Sequence, residues 1–411
     1  MKILHLSNLY HPVIGGLERS IATSSAELVR RGHEVTVLTL ATPATRQDQE
    51  MIDGVRVRRV RSVATTLLPG MNADAAKPFH PTVADPFTTT AIARVLRAEH
   101  FDVVHSHDWM MYSYLPLRRT RIGRPHVHTA HDFGLTCVRK TFARAGRQCS
   151  GPGPIRCVNC AGAQYGGPRS LALTAGLHAH RHRGIDVLTA ISTSVAAALG
   201  QARLPGDLPV RVVSSLVPDG LDALADRTPR PDWLPAGDYL LFVGALGPHK
   251  GIGVLFDAYR RLCSSWSGPL PALVCLGTPR PDTPPAPPGT LIRHDVPHAQ
   301  VMAAFRGAAA GVVPSLNEGM GQVAVEAMLG GAPLVASAAG GLTDVVEDGV
   351  SGLLVPPGDP DALHAALRRV LTEPGLADRL RAAGRQRGLD FTAARVVPQI
   401  EEVYRACVAS S

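Results

Sequence analysis

The stretch PSLNEGMGQVAVE, Pro314–Glu326, decides how this chain is read. It follows a short apolar run, Gly311 to Val313, with the character of a buried parallel strand, and leads into a helix carrying Val323, Val325 and Met328. Glu318 and Glu326 stand eight positions apart, with Gly319 and Gly321 between them. If the helix starts at Gly321, the unpaired amides of its first turn point out of the strand end, and the positive end of the helix dipole attracts an anion there. Glu326 then falls in the second turn and Glu318 in the loop before it. A ligand with both phosphate and several hydroxyls suits this pattern, with phosphate at the amides and hydroxyls at the carboxylates. The plainer reading, a loop acid and a surface helix acid, describes most glutamates.

The rest of the chain supplies what such a site needs. At 411 residues it is long enough for two domains, each with its own core. An apolar content of 45% against 18% charged argues for a folded protein and against disorder. No run of about 18 apolar residues occurs, so no transmembrane helix is expected. The opening MKILHLSNLY reads as a strand, not a signal peptide, because it has one Lys, a short apolar stretch and no small-residue cleavage site. A cytoplasmic protein is the expectation. Net charge of +8 favours anionic ligands or surfaces. With aromatics at 5% and no binding motif, nucleic acid is a poor candidate, and transient contact with an acidic membrane leaflet is a better use of the charge.

In chain order, Ile3 to Leu6 predicts a strand, followed by the loop HPVIGGLERS and a helix through Ile21, Leu28 and Val29 that ends at Gly32. GHEVTVLTL and VRVRRV predict the next strands, which makes a Rossmann-like start with Gly15 and Gly16 at the first crossover. The pair permits close backbone approach to a ligand or simply a tight turn. Leu67 to Pro86 reads as a mobile loop. A helix to about Glu99, the strand DVVHSH, a helix around Met110 to Leu117 and the strand PHVHTAHD follow. Such alternation implies a parallel sheet covered on both faces. His105 and His126 read as hydrogen-bonded core residues. His131 comes at a strand's end, where doubly wound sheets place ligands, and His107 is a second candidate. After a helix from Leu171 to His182 come the strand DVLTAIS, a helix from Thr193 and a last strand, RVVSSL. In the second half YLLFVGAL, PALVCLG, TLIRHD and PLVASA read as strands. Helices are expected after Lys250-Gly251, from Val296 to Arg306 and from Asp361 to Leu371, with an amphipathic segment from Phe391.

Four of the seven cysteines, Cys137, Cys149, Cys157 and Cys160, fall within 24 residues of a Gly- and Pro-rich loop. The closing C-x-x-C is a common half of a tetrathiolate zinc site, and a structural zinc would fix the shape of a loop whose composition does not. Two disulfides, disfavoured in a reducing cytoplasm, and four unconnected thiols are the alternatives.

The glutamate pair with seven residues between, preceded by Pro-Ser and followed by GGAPLVASAAGG, resembles the signature of family 4 retaining glycosyltransferases. Pro12, Gly15, Gly16 and Glu18 resemble its P-x-x-G-G-x-E segment, and His131-Asp132 its active-site His-Asp dipeptide. Lys250-Gly251 resembles the end of its G-R-L-x-x-x-K-G segment. Met320 stands where the family has Phe, and Ala245 where it has a phosphate-binding Arg. Similar cysteine-bearing loops follow the His-Asp pair in some bacterial members. The resemblance implies an α/β protein of two Rossmann-like doubly wound domains facing across a cleft, the GT-B fold. The expected boundaries are 1–205 for an acceptor-side domain, 206–238 for a Pro-rich linker, 239–390 for a nucleotide-sugar-binding domain and 391–411 for a helix crossing back. It further implies His131 facing the donor sugar, Glu318 on that sugar, Glu326 on the ribose, and Lys250 with the Gly319 to Gly321 amides on the diphosphate. The implied reaction is metal-independent transfer of a sugar from a nucleotide-diphosphate sugar to a glycan, lipid-linked or small-molecule acceptor, with retention. A sugar-nucleotide-binding protein without catalysis and a GT-B-like epimerase are the alternatives.

Overall fold

The computed structural model describes residues 1–13, 15–45, 47–66, 78, 80–144, 147–179, 182–202 and 204–410. Residues 67–77 and 79 of the loop expected from Leu67 to Pro86 thus lie outside the described residues. The chain divides into two compact units, one formed by Met1–Arg144, Cys149–Leu216 and the segment from Ala393 onward, the other chiefly by Val217–Thr392.

The first unit follows the strand–helix alternation of its sequence. Its elements are β1 (Lys2–Ser7), α1 (Gly16–Arg30), β2 (Glu34–Leu40), β3 (Gln49–Ile52), β4 (Val55–Val60), α2 (Val63–Thr66), α3 (Pro86–Ala98), β5 (Val103–Ser106), α4 (Met111–Arg118) and β6 (His126–Ala130). Two short strands, β7 (Ala143–Arg144) and β8 (Arg147–Gln148), precede α5 (Pro154–Tyr165), α6 (Gly167–Ala179), β9 (Val187–Ala190), α7 (Thr193–Leu199) and β10 (Val210–Val212). Eight strands form one sheet in the order β10-β9-β6-β5-β1-β2-β4-β3, parallel except for β3.

Period-2 alternation sends Ile3, Val37, Val57, Val103 and Val127 to one face and Leu4, Leu6, Leu38 and Val104 to the other. A parallel sheet buried on both faces requires apolar residues of both registers, which explains the near-continuous hydrophobic runs. The last helix of the chain, α15 (Ala393–Ala409), packs its Val396, Val397, Val403 and Tyr404 into the first of these cores.

The second unit comprises α8 (Leu221–Arg227), β11 (Tyr239–Val243), a 3-10 turn at Pro248–Lys250, α9 (Ile252–Ser265), β12 (Ala272–Leu276), β13 (Leu291–Arg293), α10 (His298–Gly307) and β14 (Ala310–Val313). It continues with α11 (Gln322–Leu329), β15 (Leu334–Ser337), α12 (Leu342–Val345), β16 (Leu353–Val355), α13 (Pro360–Thr372) and α14 (Leu376–Leu389). Its six parallel strands run β13-β12-β11-β14-β15-β16. Leu255, Phe256 and Leu262 of α9 are fully buried against Leu240, Phe242 and Val312, each burial contributing about 1.5–3 kcal/mol.

Strand order reverses between β1 and β5 in the first sheet and between β11 and β14 in the second. The carboxyl ends of these pairs are where open α/β sheets leave a crevice for ligands.

Three local expectations are corrected. Cys157 and Cys160 lie on α5, which opens with Pro154 at its first position, and not in a loop. Proline is favoured there because its missing N–H has no helical partner anyway. The edge strand β3, unread in the sequence, forms a hairpin with β4 across Asp53-Gly54. The last strand of the first sheet spans Val210–Val212, a shorter segment than RVVSSL and shifted by one residue.

Candidate active site

In the second unit, β14 delivers the chain into the loop Pro314 to Gly321, and α11 starts immediately after Gly321, whose φ of 96° is left-handed. The sequence placed this helix start correctly. Glu326, in the second turn, is 4% exposed, with Oε1 3.0 Å from His298 Nε2 at the start of α10. Glu318 is one oxygen's focus: its Oε1 accepts from Lys250 Nζ at 2.5 Å and from Ser315 Oγ at 2.8 Å. Met320 is buried, so its side chain is not open to solvent.

Lys250 reaches Glu318 because two loops are fastened together. The Leu316 amide donates to the His249 carbonyl at 3.0 Å. Gly251, with φ of 71°, passes so close to Pro314 that a Cβ would sit 1.8 Å from the Pro314 carbonyl oxygen. Only glycine is compatible with both the conformation and the approach. Ala245 carries no charge, but Arg280 runs along the same turn, its Cδ lying 2.9 Å from where a Cβ on Gly247 would be. His249 beside it is held below its usual pKa by burial first, then by Lys250 and Arg280.

In the first unit the corresponding strand ends carry His107, Asp108 and His131. Asp108 accepts from the Asn8 and Met110 amides at 2.5 and 2.9 Å, tying the β1 end to the β5 end. Burial raises its pKa to about 6 against the pull of Lys140 and those amides. His131 Nε2 lies 3.0 Å from His107 Nδ1, and His107 Nε2 lies 2.9 Å from His5 Nδ1. Burial, with Lys140 and His5 adding to it, lowers the His131 pKa to about 3, so the ring is neutral at pH 7.

Asp132 turns back to accept from the Gly134 amide at 2.7 Å and pairs with Lys140 at 3.7 Å. Lys140 also lies 4.6 Å above the Trp109 ring. Burial works against its charge, yet Asp132 and Asp108 keep its pKa above the ordinary value. The expected core histidines are as read: His105 bonds Tyr404 and Thr129, and His126 bonds Ser106 and the Gly184 carbonyl. Gly15 is extended, with φ of −141°, and precedes α1, which starts at Gly16; the Glu18 carboxylate occupies the space a Gly15 side chain would take.

Three of the four clustered cysteines have separate hydrogen-bond partners. Cys149 Sγ donates to the Gly151 carbonyl at 3.4 Å, Cys157 Sγ accepts from the Gly153 amide at 3.3 Å, and Arg139 donates to Cys160 Sγ at 3.6 Å. Burial raises the pKa of the Cys137 thiol. Among the described residues, the one group of three or more candidate ligands close enough to share an ion is His5, His105 and His107. No disulfide joins any of the cysteines. Sequence reasoning missed His298, Arg280, Asp108 and Lys140, each of which joins its site from a loop or helix start with no periodic signal of its own.

Comparison with known proteins places both units in one context. Residues 14–217 match the family model "Glycosyltransferase Family 4" and residues 237–373 match "Glycosyl transferases group 1". The chain is 31% identical to a D-inositol 3-phosphate glycosyltransferase of Frankia alni over 95% of both chains. In structure it is similar to sucrose-phosphate synthase from Thermosynechococcus elongatus, with a TM-score of 0.73, 21% identity and full coverage of both chains. It is also similar to Anabaena Alr3699/HepE in complex with UDP and glucose, with a TM-score of 0.67, 18% identity and coverage of 99% and 100%.

Proposed function

The chain belongs to the family 4 glycosyltransferases, with their GT-B fold, and on that premise we propose that it moves a hexosyl or related group from a nucleoside-diphosphate sugar to an acceptor hydroxyl, with retention. The observation that carries the reading is the grouping of Glu318, Lys250 and Ser315 at the carboxyl ends of β11 and β14, beside the α11 N-terminus and Glu326. Glu326 takes the ribose hydroxyls and Glu318 orients hydroxyls of the sugar. Lys250, the amides of Gly319 to Gly321, and Arg280 in place of the guanidinium missing at Ala245 face the diphosphate. As the glycosidic bond breaks, negative charge grows on that diphosphate, and donors already fixed in place lower the barrier without reorganising. His131 contacts the transferred sugar.

The relatives' name makes a phosphorylated polyol the first acceptor to try, and the UDP-bound neighbour makes UDP-sugars the first donors. Lipid-linked and glycan acceptors follow. Among the described residues no helix is long and apolar enough to cross a membrane, and peripheral contact with an anionic leaflet rests on the net charge of +8. A structural zinc rests on cysteine spacing alone; a metal-free mass by native mass spectrometry removes it.

Release of nucleoside diphosphate from a panel of donors, with and without acceptors, tests the whole reading, and the anomeric configuration of the product tests retention. If no donor raises the unfolding temperature and none is turned over, the assignment fails.

A further inference from the structure

Residues of one alternation line one face of the first sheet, the face covered by α1 and α15. Ile3, Val103, Val127 and Val187 form its apolar row. Two positions further along each strand come His5, His105, Thr129 and Thr189, all buried, with Thr129 diagonal to His105, whose neighbour in register is Val127. Four polar side chains buried side by side must satisfy one another, and together with Tyr404 from α15 they do so in a single line. Thr189 Oγ1 lies 3.4 Å from the His128 carbonyl and 2.6 Å from Thr129 Oγ1. Thr129 lies 2.7 Å from His105 Nε2, and His105 Nδ1 lies 2.7 Å from Tyr404 Oη. Tyr404 lies 3.4 Å from His5 Nε2, and the two histidine contacts given above continue from His5 through His107 to His131.

A carbonyl oxygen only accepts, and that sets the polarity of every later link. Thr189 donates to the His128 carbonyl, so it accepts from Thr129. Thr129 then accepts from His105 Nε2–H, and His105 Nδ1 is the lone pair that receives the Tyr404 proton. Tyr404 oxygen accepts from His5 Nε2–H, His5 Nδ1 from His107 Nε2–H, and His107 Nδ1 from His131 Nε2–H. We propose that this buried line fixes His131 as the neutral Nε2–H tautomer, leaving Nδ1 as a hydrogen-bond acceptor for a ligand hydroxyl, with Tyr404, His5 and His107 as positioning residues. No described protein group bonds His131 Nδ1. The functional half of the inference rests on the reading of His131 as an active-site residue; the tautomer itself does not.

Burial lowers the pKa of His5, His105 and His107 as well, which keeps the line uncharged near neutral pH. The same three rings are close enough to hold a metal ion. A dication there would have to displace the protons that now link the rings, with no carboxylate among the three ligands to balance its charge.

Long-range proton–nitrogen correlation spectra of protein labelled at the histidine imidazoles, assigned with single His→Gln variants, read the tautomers directly. The expected result is Nε2–H for His5, His105, His107 and His131 near neutral pH. Tyr404→Phe should then give mixed tautomers at His5, His107 and His131. It should lower kcat by about three- to tenfold, the loss of one hydrogen bond, with donor KM unchanged. An Nδ1–H signal at His131 in the unmodified protein overturns the proposal, even if the Tyr404 variant does not fold. Unchanged spectra in a folded Tyr404→Phe variant overturn it too. Stoichiometric zinc binding that abolishes the His5, His105 and His107 N–H signals would show a metal site instead. Full transferase activity in His131→Ala would sink the active-site reading while leaving the tautomer result standing, so the two failures are distinguishable.

Discussion

Replacing Glu326 by Gln isolates charge from shape. The carboxylate is 4% exposed and its Oε1 lies 3.0 Å from His298 Nε2. Gln keeps the volume and one oxygen acceptor for His298, so packing in the second turn of α11 is preserved. A hydrogen bond to a charged acceptor contributes about 1.5–3 kcal/mol, against about 0.5–1.5 for a neutral one. With one or two ribose hydroxyls on the carboxylate, the substitution should cost about 1–3 kcal/mol of donor affinity, roughly a five- to 150-fold rise in Kd. Glu326→Ala removes the acceptor outright and strands the hydroxyls and His298, which should raise the loss to about 3–5 kcal/mol. Titration calorimetry with UDP, GDP and their sugars measures both, and the unfolding temperature without ligand checks that the fold is intact. His298→Ala is the control: should it reproduce the whole loss, Glu326 acts by holding His298 in place. A folded Glu326→Gln variant that binds its nucleotide sugar within twofold of the original would refute the ribose assignment.

Arg280→Ala should weaken diphosphate binding about three- to tenfold and Lys250→Met should reduce kcat by at least about tenfold; steady-state kinetics separate them, and an indifferent Arg280 variant means that Arg280 does not stand in for the guanidinium missing at Ala245. Glu401, bonded by Arg31 at 2.8 and 3.0 Å and by His33 at 2.9 Å, has its pKa lowered to about 2, by Arg31 first. A depressed carboxylate stabilises above the unfolded pKa and loses its contribution as pH falls, so the deficit of Glu401→Gln in urea unfolding, about 1–3 kcal/mol at pH 7, should close between about pH 4.5 and 2. Gly251→Ala, with a Cβ 1.8 Å from the Pro314 oxygen at φ of 71°, should cost more than about 2 kcal/mol of stability and most of the activity, read by thermal unfolding and turnover.

Strand periodicity made both sheets legible, because a parallel strand buried on two faces leaves a hydrophobic run that little else produces. The start of α11 was legible for a different reason: the glycine at its N-terminus marks the turn by itself. Beyond those signals the reading depended on residues whose partners are remote in the chain. Nothing near Glu326 announces His298, which arrives from 28 residues away. Lys140, one of four lysines, carries no signal of its own in the sequence, yet it sits over Trp109 and beside Asp132. The β3–β4 hairpin carried its signal openly in Asp53-Gly54, a dipeptide suited to a tight turn with both residues at positive φ, as they are at 49° and 78°. The cysteines read as lying in a loop, but a C-x-x-C at helix spacing reads the same whether the thiols meet a metal or lie along α5.

Spacing alone does not build the second unit's site. The two acids of Pro314–Glu326 are supplied by that stretch, but their positions are imposed by glycines elsewhere. Gly251 admits the Pro314 carbonyl on one side. On the other, Gly340 comes so close to the Glu318 carbonyl that a Cβ would lie 2.0 Å from it, and the Gly341 amide donates to that same oxygen at 2.9 Å. Glu318 is thus held through its backbone carbonyl from the loop after β15, while its side chain is held by Ser315 and by Lys250 from the loop after β11. A carboxylate held at both ends would spend little entropy on meeting the hydroxyl proposed for it, which is the condition for its interaction to favour a particular geometry and not merely a charge. The glycine-rich turn GGAPLVASAAGG is therefore as much a part of the site as the glutamates, although it contributes no functional group.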